Sequence, residues 1–302
     1  MKYFDLQVNG AFGVNFTDPE VTEEACLTAI EKILAKGCDR FLPTFPTAPM
    51  EVYRRNLPLV NRVIERHGLR WALPGFHLEG PFISREPGYV GAHHPPAVRE
   101  PSIPLFDELN ALADGKVVML TVASELIGVE ELIQHVHQLG VIVSVGHSNC
   151  TAEQLDACGA DTMTHLGNGL PNAIDRHRNP IWAGLAKDDM AIMAITDGHH
   201  LPPRVLKCYL RCKGIDNFIA VSDACSVAGL PPGRYHSYGN DAVLEPNGLY
   251  HNPAKGCLVG SSKLLKGCAD VLRNELGLDD GAIERVCWTN PHRLLERRAA
   301  GR

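Results

Sequence analysis

Residues 75–81 read Gly75-Phe76-His77-Leu78-Glu79-Gly80-Pro81. A strand predicted from Trp71 to Leu78 runs straight into a carboxylate and then into Gly80-Pro81. That pair ends strands, because Gly offers no side chain to pack and Pro cannot donate to the ladder. Glu79 is therefore expected at a strand tip, beside a turn. Two later predicted strands end in a lone histidine, at Gly146-His147-Ser148 and Thr164-His165-Leu166. One Glu and two His from three strand ends form a plausible donor set for a divalent metal.

Outward from that stretch, apolar strand-like runs alternate with amphipathic ones from end to end. The predicted strands are Phe4–Val8, Asp39–Thr44, Ala72–Leu78, Lys116–Val122, Val141–Val145, Thr162–His165, Ala191–Thr196 and Phe218–Ser222. Between them, Glu23–Lys36, Met50–His67, Val129–Leu139, Ala152–Ala157 and Pro203–Lys213 carry a helical pattern. Several of these end at a glycine, the usual residue just past a last helical turn: Gly37, Gly68, Gly140, Gly159 and Gly214. Thr151 is placed as an N-cap, with Gln154 completing a capping box.

Short apolar strands joined by helical crossovers predict a parallel sheet covered on both faces, and eight strands close a barrel. An open doubly wound sheet is the alternative. It would want Gly-x-Gly-x-x-Gly after the first strand, where this chain has Gln7-Val8-Asn9-Gly10. The expectation is thus an α/β protein, a single (β/α)8 TIM barrel over 1–302, with a loop or hairpin insertion near 233–256. The tail from Asp280 to Leu295 reads as helical, broken at Asn290-Pro291.

The bulk properties set outer limits. The chain has 302 residues, 45% hydrophobic and 21% charged, with a net charge of −6. That is the composition of a soluble globular protein with one large core. No basic run stands out, which argues against nucleic acid or an anionic membrane as a partner. No apolar stretch is long enough to span a bilayer, and Asp5 interrupts any signal-like run at Met1-Lys2-Tyr3-Phe4. Ten cysteines occur without a Cys-x-x-Cys pair, which fits reduced, buried thiols and a cytoplasmic location. Cys208 and Cys212, one helical turn apart, read as helix packing.

Barrel enzymes keep their chemistry at the C-terminal strand ends. There this chain places Gln7, Asn9, Glu79, His147, His165, Asp197, His199, His200 and Asp223. For any one of them a satisfied structural role is the simpler reading. The joint pattern is harder to dismiss, since His67, His135 and His137 are scattered over helices instead. Catalytic zinc takes three protein ligands and keeps a fourth position for water; Glu79, His147 and His165 supply three. Asp223 would then move the proton, its structural alternative being an N-cap after the eighth strand. His77 shares a strand face with Glu79 and reads as support beneath the site, or less simply as a ligand.

These residues resemble the amidohydrolase superfamily, and within it the N-acetylglucosamine-6-phosphate deacetylase family. The resemblance is carried by Asp5-Leu-Gln-Val-Asn-Gly10, His77-Leu-Glu-Gly-Pro81, Gly91-Ala-His-His-Pro95, Gly146-His-Ser148 and Thr164-His-Leu-Gly-Asn168. Arg178-Asn-Pro180, Asp197-Gly-His-His200, Ser222-Asp-Ala224 and Leu258-Val-Gly-Ser261 continue it in the family's order. The resemblance implies Glu79, His147 and His165 as metal ligands, Asp223 as catalytic acid/base, and His93 as the group polarising the acetyl carbonyl, with adjacent His94 a competing register. It implies substrate contacts from Ala92, His93, Asn168, Gly169, Arg178, His200 and Leu258, Val259 and Gly260. Arg176 competes with Arg178 for the phosphate. In the family that arginine comes from a neighbouring subunit, which implies a homodimer.

Where many amidohydrolases carry His-x-His for a second metal, this chain has Gln7-Val8-Asn9, two neutral amides that bind zinc poorly. One divalent ion is expected, zinc by default, with Fe2+ or another divalent ion as alternatives. Two departures stand out. The family's accessory β-sandwich is missing, so a bare barrel is expected. Gly167 and Gly169 stand where the family has larger residues, which suggests a wider loop beside the phosphate. The implied activity is metal-dependent deacetylation of N-acetylglucosamine 6-phosphate. The alternatives are another N-acyl amino sugar, such as the galacto epimer, or a non-catalytic sugar-phosphate binding barrel.

Overall fold

The computed structural model describes residues 1–237 and 239–299. Eight parallel strands follow one another around a single sheet: β1 (Phe4–Val8), β2 (Arg40–Pro46), β3 (Phe76–Glu79), β4 (Val117–Val122), β5 (Ile142–Val145), β6 (Thr162–Met163), β7 (Ala191–Ile195) and β8 (Phe218–Val221). The seam between β8 and β1 is stitched by the N–H of Asn9 donating to the Ala224 carbonyl at 2.8 Å. The N–H of Ser222 adds a bond to Asp5 Oδ1 at 3.2 Å. Each strand is followed by a helix: α1 (Glu23–Lys36), α2 (Met50–Arg66), α3 (Ile103–Leu112), α4 (Val129–Gln138), α5 (Ala152–Cys158), α6 (Pro180–Ala186), α7 (Pro203–Lys213) and α8 (Leu265–Leu276). This is the (β/α)8 barrel expected from the sequence.

The helices form where the sequence supplies caps. Thr22 accepts the Ala25 N–H at the start of α1, Ser102 does the same for Leu105 in α3, and Thr151 and Gln154 make the full capping box of α5. Their apolar faces cover the outer side of the sheet, where Phe41, Phe45, Tyr53, Val143 and Leu206 are fully buried.

Three expectations shift. The strand read from Ala72 begins only at Phe76, because Leu69–Trp71 closes a 3-10 turn and Pro74-Gly75 delays entry into the sheet. β6 stops at Met163, although the Thr164 N–H still reaches the Val145 carbonyl at 2.8 Å. The tail is continuous rather than broken. α9 (Asp280–Glu284) passes through a wide π turn at 285–289 into α10 (Asn290–Ala299), and Pro291 sits in the first turn, where no N–H is needed.

The insertion after β8 is an antiparallel sheet of β9 (Gly233–Ser237), β10 (Asn240–Leu244), β11 (Tyr250–Asn252) and β12 (Cys257–Leu258). Its inner face buries Ala242, Leu244 and Tyr250 with Cys225, Val227 and Val259, which holds it beside the C-terminal end of the barrel. No described helix is long and apolar enough to cross a membrane. All ten cysteines are unpaired.

Candidate active site

Glu79 at the tip of β3, His147 just past β5 and His165 just past β6 point to one spot, as the barrel's geometry requires of strand ends. Glu79 Oε1 lies 2.8 Å from His165 Nε2 and 3.4 Å from His147 Nε2, and the two imidazole nitrogens are 3.1 Å apart. Four tetrahedral donors about 2.0–2.1 Å from a zinc ion sit about 3.3 Å from one another, so this spacing fits such an ion. The tautomers fit as well. His147 Nδ1 donates to the Tyr89 carbonyl at 2.7 Å, which leaves its Nε2 lone pair facing the cluster.

Glu79, His93 and His147 also bring one donor atom each within 4.8 Å. His93 nevertheless fits an ion poorly. Its Nδ1 accepts the Thr47 N–H at 3.1 Å, so in the neutral ring the proton sits on Nε2. His93 Nε2, 3.1 Å from His147 Nε2, is therefore a donor aimed into the site. His94 is exposed and caps a 3-10 turn, outside the lining of the cavity to which His93 contributes.

The electrostatics follow from burial. Burial alone would push Glu79 up, but the three imidazoles gathered around it, His147, His165 and His93, outweigh it and hold the carboxyl well below its ordinary range. His147 is driven down to about 4, first by burial and then by repulsion from His93, so its imidazole is neutral at pH 7, the form that can ligate a metal. Burial also acts downward on His165, yet the Glu79 carboxylate more than offsets this and raises it. The opposite shifts of Glu79 and His165 are those of an acid and a base drawn together at 2.8 Å, a pair between which a cation is favoured.

Asp223, at the end of β8, completes the cluster. Its Oδ1 accepts two amide N–H groups, from Asn9 Nδ2 at 2.7 Å and Gln7 Nε2 at 3.0 Å. Gln7 Nε2 also donates to Glu79 Oε1 at 2.9 Å. Of the amides that replace the His-x-His pair, Gln7 thus bridges the two carboxylates, while Asn9 holds Asp223 alone. Burial, then the Glu79 charge, raises Asp223 to about 6, a value suited to exchanging protons near neutrality. Beneath the site, His77 Nδ1 donates to the Leu6 carbonyl at 3.0 Å and its Nε2 meets Thr121 Oγ1 at 2.8 Å. Both ring nitrogens are engaged, which makes His77 a supporting residue.

A cavity of about 510 Å³ opens above these groups. Of the residues read as substrate contacts, Ala92, His93, Asn168, Gly169, His200, Leu258, Val259 and Gly260 all line it. His200 is oriented by Asp197, whose Oδ2 receives its Nδ1 at 2.8 Å. Arg178 does not line the cavity; it is exposed, and its backbone N–H is held by Asp175 Oδ1 at 2.7 Å. Arg176 is also outside the lining. The glycines of the following loop do something other than widen it. A Cβ on Gly169, at φ +63°, would lie 2.6 Å from His147 Nδ1, and one on Gly167 would lie 2.6 Å from Tyr209 Oη. The lack of a side chain lets the loop close onto the His147 ring at Gly169 and onto Tyr209 at Gly167. Sequence reasoning did not single out Lys255, which also lines the cavity, or the Tyr89 carbonyl, neither of which carries a motif.

A closed barrel with a carboxylate and histidines converging at its C-terminal strand ends defines a hydrolase of the amidohydrolase class. No family model matches the chain. It is 31% identical over 298 residues to N-acetylgalactosamine-6-phosphate deacetylase of Escherichia coli O157:H7, covering 97% of this chain and 77% of that protein. It is 36% identical over 264 residues to N-acetylglucosamine-6-phosphate deacetylase of Bos taurus, covering 82% of this chain but 62% of that protein. In structure it is similar to a mutant N-acetyl-D-glucosamine-6-phosphate deacetylase from Mycobacterium smegmatis in complex with N-acetyl-D-glucosamine-6-phosphate. That likeness has a TM-score of 0.87 at 26% identity and covers 98% of this chain and 77% of that one. The chain belongs to the N-acetylglucosamine-6-phosphate deacetylase family of amidohydrolases.

Proposed function

We propose that the protein hydrolyses the acetamide of an N-acetylhexosamine 6-phosphate, N-acetylglucosamine 6-phosphate first among them, to give the free amine and acetate. The observation that carries this reading is Asp223. It is a half-buried carboxylate at the cavity floor, pinned through one oxygen by two amides, next to a Glu79–His147–His165 cluster spaced for a single divalent ion. The Gln7 and Asn9 amides favour one ion over two, and the mixed nitrogen and oxygen donors favour zinc. Such an ion, when bound, supplies Lewis-acid polarisation of the amide carbonyl and makes water more acidic.

The residues of the chain divide the remaining work. With Oδ1 held by Gln7 and Asn9, Asp223 offers its other oxygen to the attacking water and takes its proton as the oxygen–carbon bond forms. The His93 Nε2–H donates to the carbonyl oxygen as negative charge develops there. As the carbon–nitrogen bond breaks, Asp223 returns the proton to the departing amine. Arg178, outside its own chain's cavity, is suited to reach a partner's phosphate in a homodimer. The two parallel N–H donors of its guanidinium match a phosphate.

Metal content of the purified protein, measured with acetate release from N-acetylglucosamine 6-phosphate, tests the reading; no metal and no acetate would sink it. The galacto epimer is a second reading, favoured by the E. coli relative's match over 97% of this chain. The ratio of kcat/KM for the two epimers decides between them.

A further inference from the structure

We propose that Glu125 is a positioning residue for the metal centre: from the loop after β4 it fixes the turn that presents the His147 ring to the ion. This rests on the one-ion reading of the site. Glu125 lies outside the cavity lining and acts only through His147. His147 has a φ of 51°, a conformation that an L-residue keeps only where its surroundings over-determine it. Two sets of bonds do so here. On one side, the His147 carbonyl accepts the Ser84 N–H at 2.9 Å, and its Nδ1 donates to the Tyr89 carbonyl at 2.7 Å. On the other side, a single carboxylate holds the two residues that follow. Glu125 Oε1 accepts the Asn149 N–H at 2.8 Å, and Oε2 accepts the Ser148 hydroxyl at 2.5 Å. Ser148 is buried, and its Oγ in turn accepts the Ser124 N–H at 3.3 Å. Hydrogen bonds to a carboxylate are stronger than those to a neutral acceptor, so this grip is firm.

The clasp continues into the loop after β3. Asn149 Nδ2 donates to Glu86 Oε2 at 2.9 Å. The Glu86 carbonyl accepts the Val90 N–H at 3.1 Å, which closes the turn that carries Tyr89. β3, β4 and β5 are neighbours in the barrel, so Glu125, Asn149 and Glu86 tie together three consecutive strand-end loops. Both supports of His147 thus lead back to Glu125: the backbone turn directly, and the Tyr89 carbonyl through Asn149. A ligating histidine depends on the partner of its other ring nitrogen for its orientation. Without the carboxylate, the turn at His147 is free to relax, and the Nε2 lone pair is no longer fixed toward Glu79 and His165.

The test measures zinc dissociation constants by chelator competition, without substrate, for wild type, Glu125→Ala, Glu125→Gln and Asn149→Ala. Loss of a group that orients a ligating histidine weakens metal binding about 10- to 100-fold, and that is the change expected in Glu125→Ala. Glu125→Gln keeps an acceptor for the Asn149 N–H and should recover most of it. Asn149→Ala removes one exposed hydrogen bond, to Glu86, and should weaken zinc binding about 2- to 10-fold. It decides the matter if Glu125→Ala does not fold. Wild-type zinc affinity in folded Glu125→Ala, or in Asn149→Ala where Glu125→Ala does not fold, overturns the proposal, as does a wild type that binds no zinc. Acetate release, assayed in parallel, separates this proposal from the functional reading. If wild type binds zinc but releases no acetate from either epimer, the activity reading fails, and weakened zinc binding in Glu125→Ala still supports the positioning role.

Discussion

At the N-terminal end of the barrel interior, Phe4, Leu6, Leu42, Met119, Ile142 and Ile219 pack against one another, and Leu294 of α10 enters from below as a plug. At the C-terminal end the barrel strands and the residues just past them carry Gln7, Thr44, His77, Glu79, Thr121, Ser144 and Thr164. The lower layer is apolar and complete. The upper one is a polar network, with Thr121 Oγ1 2.7 Å from Thr164 Oγ1 and Ser144 Oγ 2.6 Å from the same atom. It also leaves buried atoms unpartnered, among them Gln7 Oε1, Asn9 Oδ1 and His165 Nδ1. One end of the interior is arranged for stability. The other tolerates unsatisfied polar groups because they are aimed at chemistry.

Substitutions at the two ends should therefore separate activity from stability. The largest effect is expected from Glu79→Gln. Without its negative charge the site should lose its ion, and activity should fall by about 10³-fold or more; metal analysis of the variant checks the cause. Asp223→Asn should retain the ion and lose about 10²- to 10⁴-fold in kcat, as removal of a proton-transfer group does. Near-normal turnover in that variant would refute the assigned mechanism.

At the other end, Leu294→Ala should lower stability by about 2–5 kcal/mol while leaving turnover per folded molecule as it is. Denaturant unfolding with an activity titration tests both halves of that statement. A loss of turnover in the folded variant would mean that the two ends are not independent.

The smallest effect concerns Asp5, on the β1–β8 seam between the two layers. Burial raises its carboxyl from 3.8 to about 7, and its Oδ2 has no partner. The unfolded chain ionises this group first, so the folded state holds the proton more tightly. Its contribution to stability is fully present below about pH 4 and is lost as pH rises through about 7, by at most roughly 4 kcal/mol. Asp5→Asn keeps the group neutral and should gain on wild type as pH rises from 5 to 8. A constant difference in unfolding free energy across that range would refute the assignment.

The apolar lower layer was the legible part of the fold. Runs such as Val141–Val145 and Phe218–Ser222 declare buried strands, and their polar terminators name the residues at the rim. The entry into β3 was less legible, because Ala72 and Leu73 are as apolar as a strand yet belong to the turn before Pro74-Gly75. Glu79, His147, His165 and Asp223 were found through their positions after strands. Their mutual distances depend on how the barrel closes, which no local pattern encodes. Lys255 left no signal, since hairpin turns have no periodicity and a lone lysine is an ordinary surface residue. Nor does the spacing of Arg176 and Arg178 show on which side of the loop either lies.

Five described residues other than glycine have a positive φ, and three of them are His147 at 51°, His165 at 28° and Asp223 at 51°. Each side chain is carried off the end of its strand by a backbone conformation that costs an L-residue about 1–2 kcal/mol. For protein engineering this makes the reaction centre a preferred target of the wrong kind. A selection that rewards heat resistance alone would find glycine attractive at 147, 165 and 223, because each change relieves the chain locally. Enrichment of glycine at those positions in an activity-blind library would measure how much folding stability the chain gives up to place its reacting groups.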